Sequence, residues 1–124
     1  MAGETERLTD ALSLDRLSPL VARLAVHAEL SDSQRRAFEA WSSAITERLI
    51  SAASGGLAGF RSGLEGVRHE FRAVHAGVAA GWLAGGTIDE ELVCRRSFLG
   101  HLIDQVAPLV GHAPSPGRVV KAAA

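Results

Sequence analysis

Tyrosine is absent from this chain, and cysteine and lysine occur once each, as Cys94 and Lys121. A single cysteine forms no disulfide within the chain and supports no cysteine-rich zinc site. An intracellular, cytoplasmic location is the expectation that follows. With no tyrosine, 4 Phe and 2 Trp, stacking platforms for single-stranded nucleic acid are scarce. An excess of one charge is missing too: the net charge is −1, which gives no general field for nucleic acid. No apolar run approaches ~18 uninterrupted residues, so a membrane span is not expected. The acidic start, Met1 to Arg7, leads into no long apolar block and does not read as a signal peptide.

Catalytic signatures are lacking as well. There is no G-x-S-x-G elbow, no Walker loop, no dinucleotide fingerprint and no helix-turn-helix recognition helix. No pair of carboxylates stands out as general acid and base. Internal catalytic machinery and a cofactor are therefore not expected.

What is present is a chain of 124 residues, 47% apolar and 22% charged, which fits one globular domain. The ratio of 12 Arg to one Lys, with abundant Ala, reads as the coding bias of a GC-rich, bacterial genome. Every periodic segment is helical, and no run of alternating β-branched residues bounded by turns occurs. A short helix is expected over Glu4 to Leu12. Ser18-Pro19 reads as an N-cap followed by proline in the first turn. Behind it, Leu17, Leu20, Val21, Leu24 and Ala28 form an apolar stripe. Ser31 and Gln34 make a capping box that opens a helix from about Asp32 to Ser54. Phe38, Trp41, Ile45, Leu49 and Ala52 share one face of it. Gly55-Gly56 then marks a turn or a hinge.

The next segment is the most regular. Leu57, Phe60, Leu64, Val67, Phe71, Val74 and Val78 recur at alternating spacings of three and four. This is a heptad seam, and a 3.5-residue period favours near-parallel bundle packing. The seam packs either into the chain's own core or against a second copy. Glycines spaced by four, Gly55, Gly59 and Gly63, then Gly77, Gly81 and Gly85, would let a neighbouring backbone come close. Gly85-Gly86 ends the helix. Thr87 with Glu90 resembles a second capping box, with Asp89, Glu90 and Glu91 in the first turn. The last helix is expected from about Ile88 to Val110, burying Leu92, Leu99, Ile103, Val106 and Val110. Pro108 lies near its end, and Gly111 suits its cap. Residues 1–112 thus form one helical domain, and 113–124, with Pro114, Pro116 and Gly117, a flexible tail.

Five histidines are candidates for chemistry. Glu65 and His69 share a helix face, as do His101 and Asp104. Neither Glu-x-x-His nor His-x-x-x-His occurs, so no metal is expected. Cys94 precedes Arg95 and Arg96, whose charges could lower a thiol pKa, although a lone cysteine on a helix is more often a small packing residue. Trp41 and Trp82 are candidates to line a pocket for an apolar ligand.

One stretch, Val67-Arg68-His69-Glu70-Phe71-Arg72, resembles the phosphoacceptor box of histidine kinases, His-Glu-(Leu or Phe)-Arg-Thr-Pro-Leu, which lies on the first helix of a dimerising hairpin. The match covers His69 to Arg72; Ala73, Val74 and His75 stand where that family has Thr, Pro and Leu. In the heptad register His69 takes position f, the most exposed. The resemblance implies that His69 carries phosphate, that Glu70 assists proton transfer and that Arg72 lies near the phosphoryl group. It implies a histidine phosphotransfer protein whose partner is a response regulator.

The expected architecture is an all-α bundle of four to five helices with antiparallel long helices. The expected function is a small, non-catalytic interaction or regulatory module, a homodimer joined through Leu57, Phe60, Leu64, Val67, Phe71, Val74 and Val78. Phosphotransfer through His69 and an apolar-ligand pocket are the alternatives.

Overall fold

A computed structural model describes residues 10–85 and 89–111. Among these the chain is all helical: α1 Leu14–His27, α2 Asp32–Ala53, α3 Gly56–Leu83 and α4 Glu90–Gly111. Most of the expected first helix lies outside the described residues; Asp10 and Ala11 are helical. Also outside them are Gly86, Thr87, Ile88 and the expected tail, 113–124.

Local chemistry sets most helix ends. At Ser31 the capping box is complete: the Gln34 amide donates to Ser31 Oγ at 3.1 Å, and the Ser31 amide donates to Gln34 Oε1 at 3.0 Å. Gly55-Gly56 is a turn, with φ +86° at Gly56. α1 ends in a pair of reverse-turn bonds. The Leu30 amide donates to Ala25 O at 3.1 Å and the Glu29 amide to Val26 O at 3.0 Å, with Glu29 at φ +55°. This is the Schellman arrangement, carrying glutamate where glycine is the usual residue.

Two boundaries differ from the sequence expectation. α1 begins after Ser13, whose carbonyl accepts from the Arg16 and Leu17 amides, and not after Ser18. Pro19 therefore lies inside the helix, exposed on its outer face. The buried Leu12 and Leu17 explain this, because a helix starting at Pro19 would leave the segment between them without its inward register. α4 begins at Glu90, and Asp89 Oδ1 accepts from the Glu91 and Leu92 amides at 3.0 and 3.3 Å. The cap is Asp89, a residue that needs no Glu three positions on.

The core draws on all four helices. Phe38, Ile45 and Leu49 of α2, Phe60 and Leu64 of α3, and Phe98, Leu99, Leu102 and Val106 of α4 are buried together, with Leu17, Leu20 and Ala25 of α1. The contact between α3 and α4 is the most extensive, followed by that between α2 and α3. Phe71 meets Gly100, His75 meets Arg96 and Gly77 meets Leu92 across the α3–α4 contact. In the first glycine row α2 and α3 approach closely. A Cβ at Gly59 would stand 2.8 Å from Ala52 O, and one at Gly63 2.8 Å from Ala52 Cβ. The second row is different: Gly81 has nothing near it, and Gly77 meets only Leu92 at ordinary contact distance. Ser42 and Thr46 are buried, and their hydroxyls donate back to Glu39 O at 2.9 Å and Ser42 O at 2.8 Å.

Candidate functional site

The heptad seam lies within the chain's own core. Phe60, Leu64, Val67 and Val74 are buried, and Leu57 and Phe71 pack half-buried against them. Val78 is half-buried. The four buried side chains present no surface to a second molecule. The 3.5-residue period correctly marked the inward face of α3, and what covers that face is α2 and α4.

His69 is exposed on α3, as position f requires, and Arg72 beside it is exposed too. Glu70 is half-buried. Glu65, one turn earlier, is engaged by Arg68 at 2.8 Å, which draws its charge away from the imidazole. His69 and Arg72 thus share an open outer surface.

The two tryptophans have separate settings. Trp41 is half-buried in an aromatic cluster on α2 and α4: its ring lies 6.2 Å from Phe38 and 5.8 Å, edge-on, from Phe98. Arg95 covers it, the guanidinium carbon 5.0 Å from the ring centroid, and the same guanidinium pairs with Glu91. Trp82 stands exposed at the end of α3. A cavity of about 310 Å3 opens between α1 and α2, floored by Leu17, Val21 and Phe98 and edged by Ser42 and Thr46. Neither tryptophan lines it.

Cys94 is a packing residue, not a reactive thiol. Its side chain is buried, with Sγ donating to Leu24 O at 3.5 Å. Burial, together with the charges of Glu90 and Glu91, pushes the thiol pKa up, against the alternative in which Arg95 and Arg96 lower it. Arg95 is turned to Trp41 and Glu91, and Arg96 to His75, so neither cation faces the sulfur.

Two surface features stand apart from the core. The first is apolar. The Cys94–Leu24 and Gly77–Leu92 contacts gather the last turn of α1, the end of α3 and the start of α4 at one end of the bundle. At these helix ends Val26 is 75% exposed, Trp82 66% and Leu83 85%. The signal was visible as Trp82-Leu83 just before a double glycine, off the heptad register. The second feature is a shallow, open groove of about 390 Å3 between α3 and α4, lined by apolar and charged side chains. Phe71, His75, Arg96, Gly100, His101 and Asp104 line it. The Phe71 and His75 rings stack at 6.1 Å and 11°. Among the described residues no cluster of His, Cys, Asp and Glu is arranged to hold a metal ion, and no helix is long and apolar enough to cross a membrane. Compared with known protein families, with curated proteins and with solved structures, the chain matches none.

Proposed function

We propose that this chain is a small, non-catalytic interaction module with antiparallel long helices that works as a homodimer joined at the Trp82 end of the bundle. The observation that carries the reading is the exposure of Trp82, Leu83 and Val26 on helix ends gathered at one place. Large apolar side chains exposed singly are ordinary, but several at one end of a bundle mark a surface suited to burial against a partner. A two-fold pairing would bury the same patch on both copies. Light scattering tests this. The expected mass is twice the 13.0 kDa of one chain, falling to one chain on replacing Trp82 and Leu83 with aspartate while the helical signal is kept. A monomer at high concentration overturns it.

A second reading, phosphotransfer through His69, is favoured by one observation: His69 and Arg72 are exposed together on one outer surface. A phosphoryl group there would gain from the guanidinium. Incubation with a phosphorylated response regulator or its kinase should place an acid-labile label on the chain and none on His69→Gln. An unlabelled wild-type chain across several partners removes the reading.

A further inference from the structure

The groove between α3 and α4 has a chemistry of its own, independent of the apolar end and of His69. Arg96 sets its character. Arg16, Arg35, Arg68 and Arg95 each reach a carboxylate, and Arg23, Arg36, Arg48 and Arg72, which reach none among the described residues, are exposed. Arg96 is half-buried, and its contact is Nη1 at 3.5 Å from Nδ1 of His75, with no carboxylate within ion-pair distance among the described residues. A partly desolvated guanidinium held beside an imidazole keeps most of its donors for something else.

Around it the groove is graded. Arg96, Gly100 and Asp104 follow at intervals of four along one row of α4, so the two ends carry opposite charge about 12 Å apart along the helix axis. Gly100 lies between them without a side chain. A Cβ there would sit 3.6 Å from Cε1 of Phe71, so the edge of the Phe71 ring is bared to the groove. His75 stacks on that ring from the Arg96 side, and His101 stands toward the Asp104 side. The sequence runs guanidinium, aromatic surface, carboxylate.

We infer that this groove binds a small, elongated carboxylate: its anion on the Arg96 fork, its apolar body across Phe71 at Gly100, and an amine or hydroxyl at its far end donating to Asp104. A planar carboxylate matches the paired donors of a guanidinium. A phosphate dianion also pairs with a guanidinium, and is set apart here only by the weak, screened repulsion of the exposed Asp104 about 12 Å away along the axis.

Calorimetric titration with three probes tests the assignment: benzoate, para-aminomethylbenzoate and phenyl phosphate. Para-aminomethylbenzoate is expected to bind best, benzoate about two- to fivefold more weakly for want of the exposed Asp104 contact, and phenyl phosphate least. Arg96→Gln should weaken both carboxylates by about tenfold or more. Asp104→Asn should bring the two carboxylates level. Gly100→Leu, which covers Phe71 and leaves every charge in place, should abolish binding, and it decides the matter if Arg96→Gln fails to fold. The proposal is overturned by absence of binding of every probe below about 10 mM, or by binding that Gly100→Leu leaves unchanged. Preference for phenyl phosphate overturns the carboxylate assignment.

Discussion

Cys94 shows how far a residue's chemistry depends on what faces it. Its sequence neighbours are two arginines, yet on α4 these project away, and the thiol meets Leu24 O in a buried setting. Neighbours in sequence lie about 100° apart around a helix, so adjacency says little about contact. A buried thiol with a raised pKa has a definite consequence for stability. In the folded chain it stays protonated, whereas in the unfolded chain it ionises at its ordinary value, near ~8.5. The stabilisation is full below that value and is lost as pH rises toward the folded pKa. Urea denaturation between pH 7 and 10 should show wild type losing stability relative to Cys94→Ala above pH ~8.5. Parallel pH profiles would show that the thiol is not held neutral by the fold. Trp82 shows the same from the other side: expected to line a pocket, it falls off the heptad that defines the inward face of α3 and stands exposed with Leu83.

At the level of elements, features made of short-range bonds were readable and features set by packing were not. The Ser31–Gln34 box depends on four consecutive residues and forms as its pattern predicts. Ser18-Pro19 has an equally good local pattern, yet α1 starts five residues earlier because Leu17 belongs to the core. The two glycine rows look alike in sequence but differ in the fold. Gly59 faces the Ala52 carbonyl across the α2–α3 contact, whereas Gly81 faces open space. Gly81→Ala should therefore stabilise the chain by about 0.5–1 kcal/mol, through helix propensity alone. Gly59→Ala gains the same propensity but must push the backbone of α2 aside, for a net loss of about 1–3 kcal/mol. Paired denaturation curves check the difference, and two changes of the same sign would mean that the close approach at Gly59 does not constrain the fold.

For the whole molecule, the seam on α3 was legible as a face while its partner was not. A periodic pattern gives the direction that must be covered, and both a sister helix and a second chain satisfy it. Here α2 and α4 cover it, while Val26, Trp82 and Leu83 stay exposed. The two surfaces should separate experimentally. Leu64→Ala is expected to lower stability by about 2–5 kcal/mol without changing the dependence of melting temperature on protein concentration. Replacing Trp82 with aspartate should remove that dependence at little thermodynamic loss to the single chain. If Leu64→Ala dissociates the protein instead, the seam joins two copies. The α3–α4 groove was only half visible: His101 and Asp104 were paired by spacing, but Arg96 and His75 belong to different helices and meet only through the α3–α4 contact.

The corner between α1 and α2 adds a consequence for the order of assembly. From Ala25 to Arg35 its hydrogen bonds join residues no more than five apart: Leu30 to Ala25, Glu29 to Val26, Gln34 to Ser31 and Arg35 to Ser31. None needs the second half of the chain, whereas the bond from Cys94 to Leu24 closes a loop of 70 residues. Contacts of short span form ahead of long ones because little chain entropy opposes them. During refolding, the Leu30 and Gln34 amides should gain exchange protection before the Cys94 thiol gains protection from pulse alkylation. The corner would then act as a template that fixes the angle between α1 and α2 before α4 arrives to fill it.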